Sequence, residues 1–170
     1  MRITILFIAA MCLYVAGCGK NHPEDNGLPT VPPENVAPIT DPVSWEPSVI
    51  QTNSNARQFN YGKVKIVNGL SVLVKGMNAG DVSSYSLHVY LRTSSGIYIH
   101  LPANSANGVA YSYYLKTANP NSTLFVTRTA GSQEIYQDLI ILAAKSSFIQ
   151  SYPGSIDFLN YGSAKAKLGL

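Results

Sequence analysis

Cysteine is almost missing from this chain of 170 residues, and the two that occur, Cys12 and Cys18, both lie near the N-terminus. Residues 19–170 therefore contain no disulfide bond and no metal site built from cysteine thiolates. A folded part must be stabilised by a packed core, which a chain of this length is able to form.

Catalytic motifs are also scarce. No G-x-S-x-G, phosphate-binding loop or H-E-x-x-H sequence occurs, so these hydrolase and nucleotide-binding signatures are missing. Glu134 and Asp138 share strand parity, but four residues of strand separate them by roughly 13 Å, which is too far for a catalytic carboxylate pair. We therefore expect a protein that is not an enzyme and needs no cofactor. A hydrolase with scattered catalytic residues is the less favoured alternative.

What the chain does contain begins at its N-terminus. Arg2 precedes an apolar run of 13 residues, Ile3 to Val15, which is shorter than the roughly 20 residues that a membrane-spanning helix needs. Residues 1–17 therefore have the pattern of a secretory signal peptide. The run ends in an aliphatic residue, which two small residues and a cysteine follow: Val15, Ala16, Gly17 and Cys18.

These four residues resemble the lipobox of bacterial lipoproteins. The resemblance covers residues 1–18, with Val15 where the family more often has leucine, and it implies cleavage between Gly17 and Cys18 and lipidation of Cys18 by acyl chains such as palmitate. It also implies a permanent lipid anchor in a membrane of the cell envelope. Because residue 19 is glycine and not aspartate, the expected membrane is the outer one if the organism has two.

Proline and charge separate the next segment from the remainder. Residues 18–47 hold seven of the ten prolines and carry one lysine against five carboxylates, a net charge of −4. Proline fixes φ and lacks an amide donor, so this composition predicts a disordered, extended tether. Residues 48–170 carry ten basic and four acidic side chains, a net charge of +6, which favours solubility and anionic partners. A nucleic-acid partner is not expected.

Apolar and polar residues alternate from about residue 59, which is the period of a β-strand. One hairpin is predicted at 64–74 around a three-residue loop at 67–69, with its apolar residues on one face. A second hairpin is predicted at 85–101 around Ser94, Ser95 and Gly96. Further strands are predicted at 108–116, 123–129 and 134–143.

The stretch 139–144 is apolar at every position and predicts a central strand that is buried on both faces. The tail at 146–161 is expected to add one or two short strands, and 165–170 is expected to fray. Short strands with frequent turns and no convincing amphipathic helix predict an all-β fold. We expect an antiparallel two-sheet β-sandwich over residues 48–170, with a small β-barrel as the alternative.

The candidate ligand-binding residues are histidines and tyrosines on strand faces that are predicted to point outward: His88, Tyr90, Tyr98, His100 and Tyr114. Two histidines fall short of the three or four ligands that zinc needs, so no metal site is predicted. An exposed tyrosine ring is able to stack on a sugar ring. We therefore expect a non-catalytic, lipid-anchored envelope lipoprotein that acts as a structural or recognition module, with a glycan-binding module as the alternative. Its expected partners are the membrane and a glycan or another envelope protein.

Overall fold

The computed structural model describes residues 45–129 and 131–170. The predicted signal peptide, the lipidation site and most of the predicted tether lie outside the described residues. The described part contains eleven strands and three short helices, in the order β1 (Val49–Thr52), β2 (Ala56–Asn60), β3 (Val64–Ile66), β4 (Gly69–Val74), α1 (Ala79–Ser83), β5 (Tyr85–Arg92), β6 (Tyr98–His100), β7 (Ala103–Asn104), β8 (Ala110–Lys116), β9 (Ser122–Arg128), β10 (Glu134–Tyr136), β11 (Asp138–Lys145), α2 (Ser146–Ser151) and α3 (Tyr161–Leu168).

The strands form three antiparallel sheets. The five-stranded sheet has the order β1-β2-β11-β5-β6, the four-stranded sheet has the order β4-β9-β8-β7, and β10 pairs with β3. The sheets are not closed into a barrel, so the prediction of an antiparallel β-sandwich is confirmed and the barrel alternative was wrong. Within the described ranges we find no helix that is long and apolar enough to cross a membrane.

The main core lies where the inner faces of the sheets meet. Val89 and Leu91 of β5 share one buried cluster with Leu124 and Val126 of β9 and with Tyr111 of β8. These residues follow the period of two along each strand, because alternate side chains point to opposite faces of a sheet. Each fully buried aliphatic side chain contributes about 1.5–3 kcal/mol to folding, so this cluster is the main source of stability.

The second predicted hairpin is confirmed. β5 and β6 pair antiparallel with Tyr90 opposite His100, and the amide of Thr93 donates to the carbonyl of Ile97 at 2.9 Å. The loop between them is therefore the predicted three-residue loop, and Gly96 within it has a φ of 83°, a conformation that favours glycine.

The first predicted hairpin was wrong. β3 pairs with β10, and β4 pairs with β9, so the chain changes sheets at 67–69. The predicted apolar face is nevertheless correct, because Val64 and Ile66 share the main core with Val72 and Val74. Alternation fixes which side chains face the core, but it does not fix which strand pairs with which.

β11 is the central strand of the five-stranded sheet, and both of its faces are buried, as predicted. Leu139 and Ile141 lie in the main core. Ile140 and Leu142 point to the opposite face, where they form a second buried cluster with residues near the C-terminus.

The C-terminal tail is helical, so the predicted strands at 146–161 and the predicted fraying of 165–170 were wrong. The side chain of Asn160 caps the start of α3 by accepting the amide of Ser163 at 3.0 Å. Gly169 ends α3 in the left-handed conformation with a φ of 72°, as glycine often does at this position. Tyr161, Ala164 and Leu168 pack against the outer face of the five-stranded sheet, so the tail forms a third layer.

Trp45 begins the described part at the edge of the four-stranded sheet. Its carbonyl accepts the amide of Leu73 at 2.8 Å, and its own amide donates to Ser71 at 3.3 Å. This bridge with β4 is parallel. The chain then crosses to the five-stranded sheet, where β1 forms an edge strand whose four residues are all exposed.

Candidate functional site

Tyr114 lies on the outer face of the four-stranded sheet and is 55% exposed. It stands opposite Phe125 in the pairing of β8 with β9. The two rings stack in parallel, with their centroids 4.9 Å apart and an angle of 6° between their planes. The predicted outward position of Tyr114 is confirmed, and the structure adds a partner ring that strand parity alone does not identify.

The stacked pair, which we call the aromatic platform, has polar side chains beside it on β8 and β9. Ser112 and Lys116 precede and follow Tyr114 on the same face of β8 and are exposed. Thr127 lies opposite Ser112, and their hydroxyls are 2.7 Å apart. The platform therefore offers the free face of the exposed Tyr114 ring, with hydroxyl groups on one side and an ammonium group on the other.

The other four candidate residues gather on the outer face of the five-stranded sheet, where the tail buries Tyr90 and packs against Tyr98 and His88. The ring of Tyr90 is fully buried, and its hydroxyl donates to the carbonyl of Phe158 at 2.8 Å. Tyr98 stacks on Tyr161 of α3, with 4.2 Å between ring centroids. The prediction that this face points to solvent was wrong, because it did not anticipate the helical third layer.

His88 and His100 form a chain of hydrogen bonds with Ser86, a residue that sequence reasoning missed. The Ser86 hydroxyl lies 3.0 Å from Nε2 of His88, and Nδ1 of His88 lies 3.3 Å from Nε2 of His100. Burial and the charge of His100 lower the pKa of His88 to about 4, and burial lowers the pKa of His100. The His88 ring also stacks on Phe158 with centroids 3.5 Å apart.

This serine–histidine chain has the connectivity of an activated nucleophile. His88 is nevertheless a weak base, because burial and the charge of His100 lower its pKa to about 4, and Phe158 covers one face of its ring. The stacking of the His88 ring on Phe158 packs the tail against the sheet. Among residues 45–129 and 131–170, no group of three or more His, Cys, Asp or Glu is placed to hold a metal ion.

Glu134 forms a second polar cluster that sequence reasoning missed. Its Oε2 accepts hydrogen bonds from the hydroxyls of Tyr111 at 2.5 Å and Tyr136 at 2.6 Å. Its Oε1 accepts from Ser105 at 3.0 Å and from the amide of Asn107 at 2.9 Å. Burial alone would raise the pKa of Glu134, but these four hydrogen bonds lower it to about 2. Glu134 is thus ionised throughout the physiological range.

A cleft of about 320 Å³ lies beside Glu134. Thr93 and Ser94 from the loop between β5 and β6 line one part of it, and the turn containing Asn107 lines another. Ile135 of β10 borders the cleft and is half exposed. Because Glu134 and Tyr136 are two residues apart, the sequence indicates that they share one side of β10. Tyr111 lies on β8, so its contact with Glu134 has no local signal in the sequence.

Comparison with known proteins yields no relative. No family model matches the chain, and no curated protein or solved structure is significantly similar to it. The chemistry of the described residues is therefore what supports a function, since a sandwich fold alone does not imply one.

Proposed function

We propose that this protein is a lipid-anchored recognition module of the bacterial envelope that binds a glycan on its aromatic platform. The single observation that carries the proposal is the stacked pair of Tyr114 and Phe125 on the outer face of the four-stranded sheet, with exposed polar residues on either side of Tyr114 along β8. No catalytic role is proposed.

The chemistry of the platform suits a sugar ring. The apolar C–H face of a pyranose packs on an aromatic ring, while its hydroxyls remain at the rim and bond to polar neighbours. Here the rim provides the hydroxyls of Ser112 and Thr127 and the ammonium of Lys116. A stacked aromatic pair stabilises the folded state by about 0.5–1.5 kcal/mol, in addition to the energy of burying its apolar surface. This interaction holds the two rings of the platform in position before a ligand binds.

The anchor is proposed from the lipobox resemblance. Lipidation at Cys18 would place the domain at the end of a tether formed by residues 19–47. At about 3.1 Å per residue, a fully extended polyproline segment of this length spans roughly 90 Å, whereas a flexible coil averages roughly 30 Å. Either length allows the platform to reach glycans that lie away from the membrane surface.

A glycan array probed with the full-length chain in detergent tests the binding site. We expect Tyr114→Ala to weaken binding to the selected glycan at least tenfold, because it removes the exposed ring. Tyr114→Phe keeps the ring and should retain most of the affinity.

Tyr152→Ala is the matched control for the loss of a tyrosine. Tyr152 is also about half exposed but lies just after α2, on the other sheet's side of the molecule. Its replacement should leave glycan binding unchanged. Binding that survives Tyr114→Ala in a folded variant, or no binding to any glycan on the array, contradicts the proposed site.

The anchor has a separate test. We expect Cys18→Ser to move the protein from the membrane fraction to the soluble fraction, and mass spectrometry of the native protein to show a diacylglyceryl adduct on Cys18. Cys12→Ser is the control and should leave fractionation unchanged. Membrane association that persists in Cys18→Ser, together with an unmodified Cys18, would overturn the anchor.

A further inference from the structure

Glu134 places a fixed negative charge on the wall of the 320 Å³ cleft. Hydrogen bonds from four side chains hold the carboxylate in one position. The carboxylate is therefore already in position before a ligand binds. Because it does not have to reorganise, an electrostatic contact with it costs little free energy.

Within the part of the chain that the structure describes, no lysine, arginine or histidine side chain forms an ion pair with Glu134. The ion pairs found there join Lys75 to Glu46 and Arg92 to Asp138. Arg128 lies near the cluster, 6.0 Å from the centre of the Tyr111 ring. Its guanidinium donates hydrogen bonds to the backbone carbonyls of Ile66, Val67, Thr129 and Ser132.

The remaining walls of the cleft fit a small organic molecule. Its volume lies at the lower end of the range of ligand sites, about 300–1,000 Å³. Ile99 provides an apolar contact for a carbon skeleton, and Ser94 and Asn107 provide polar groups at the rim.

We propose that this cleft binds a small primary ammonium compound, with the ammonium group beside the Glu134 carboxylate and the carbon skeleton against Ile99. An amino sugar and an alkyl amine share this chemistry. The site is separate from the aromatic platform, so this proposal does not depend on the proposed glycan binding there.

Isothermal titration calorimetry on the full-length chain in detergent tests the proposal with two amines, D-glucosamine and 1,5-diaminopentane. We expect saturable binding of at least one of them and none of the neutral analogues D-glucose and 1,5-pentanediol. Binding should weaken several-fold when salt is raised from 50 to 500 mM, because the contact is ionic. The amine that binds with the higher affinity shows whether the natural ligand is an amino sugar or an alkyl amine.

Glu134→Gln should reduce the affinity at least tenfold, whereas Glu46→Gln, which removes an exposed carboxylate elsewhere, should not change it. Because Glu134→Gln also alters four hydrogen bonds, Ser94→Lys is a second variant that leaves Glu134 intact. Its new ammonium on the exposed loop should occupy the cleft and abolish binding, while Ser94→Gln should not. Any one of three results overturns the proposal. These are equal affinity for glucosamine and glucose, amine binding that Ser94→Lys and Glu134→Gln leave unchanged, and no amine binding at all.

Discussion

Tyr90 and Tyr114 show what a single residue reveals from sequence. Alternation along their strands places both rings on faces that point away from the main core, and this is correct for both. Tyr114 is 55% exposed, whereas Tyr90 is fully buried beneath the tail. Strand parity determines the face that a side chain occupies, but whether another element covers that face depends on contacts between residues far apart in the chain.

The buried hydroxyl of Tyr90 leads to a stability prediction. Tyr90→Phe removes the donor to the Phe158 carbonyl and leaves that carbonyl without its partner, so we expect a loss of about 1 kcal/mol in the free energy of unfolding. Urea denaturation measures the change. Tyr114→Phe, which alters an exposed hydroxyl, should leave the free energy within experimental error, and an equal loss in both variants would contradict the assignment.

The two covered histidines predict a pH dependence. Burial gives His88 a pKa of about 4 in the folded state, against 6.5 when unfolded, and the pKa of His100 is also lowered. The unfolded chain therefore binds more protons below pH 6.5, and the free energy of unfolding should fall as the pH is lowered from 6.5 towards 4. Denaturation at several pH values between 7.5 and 4.5 measures this slope.

His88→Gln should flatten that slope, and His22→Gln, in the predicted tether, is its control. Glu134 adds to this slope only at the acid end of the range. Its lowered pKa of about 2 confines its own loss of stabilisation to the interval from about 4.5 down to 2. A slope that is the same with and without His88 would contradict the burial of this ring.

At the scale of elements, the strands were easier to predict than the helices. The hairpin at 85–101 and the doubly buried β11 follow from local alternation and an unbroken apolar stretch. α3 was missed because its small and charged residues form no clear apolar stripe, although Asn160 before it and Gly169 after it are common helix-capping residues. The exchange of partners at β3 and β4 has no local signal, since both pairings leave the same side chains in the core.

Asn53 links α3 to the sheet edge. Its amide donates to the carbonyls of Leu168 at 2.8 Å and Gly169 at 3.1 Å, and its oxygen accepts two backbone amides in its own turn. We expect Asn53→Ala to lower the free energy of unfolding by about 1–3 kcal/mol and to accelerate hydrogen exchange in the last turn of α3. Ser54→Ala, at the neighbouring exposed position, should do neither. Unchanged exchange in α3 would show that this link does not hold the helix.

At the scale of the whole molecule, residues 45–129 and 131–170 form three layers, the third of which is the C-terminal tail. Removing residues 146–170 would expose the aromatic and aliphatic outer face of the five-stranded sheet, including Tyr90 and Leu142. Exposed apolar surface of this kind promotes association. We expect the shortened chain to aggregate, as measured by light scattering, whereas Ser163→Ala on the exposed side of α3 should remain monodisperse. A monomeric shortened chain would mean that the tail is not needed to shield the sheet.

Trp45 also determines how the sandwich responds to mechanical force. A pull on the chain from its N-terminal side reaches the two backbone hydrogen bonds between Trp45 and β4 before it reaches β1. These bonds join the first described residue to one sheet, while β1 belongs to the other. Tension therefore loads both sheets in succession, and detachment of Trp45 would release residues 45–48 ahead of β1 while the packed layers stay intact.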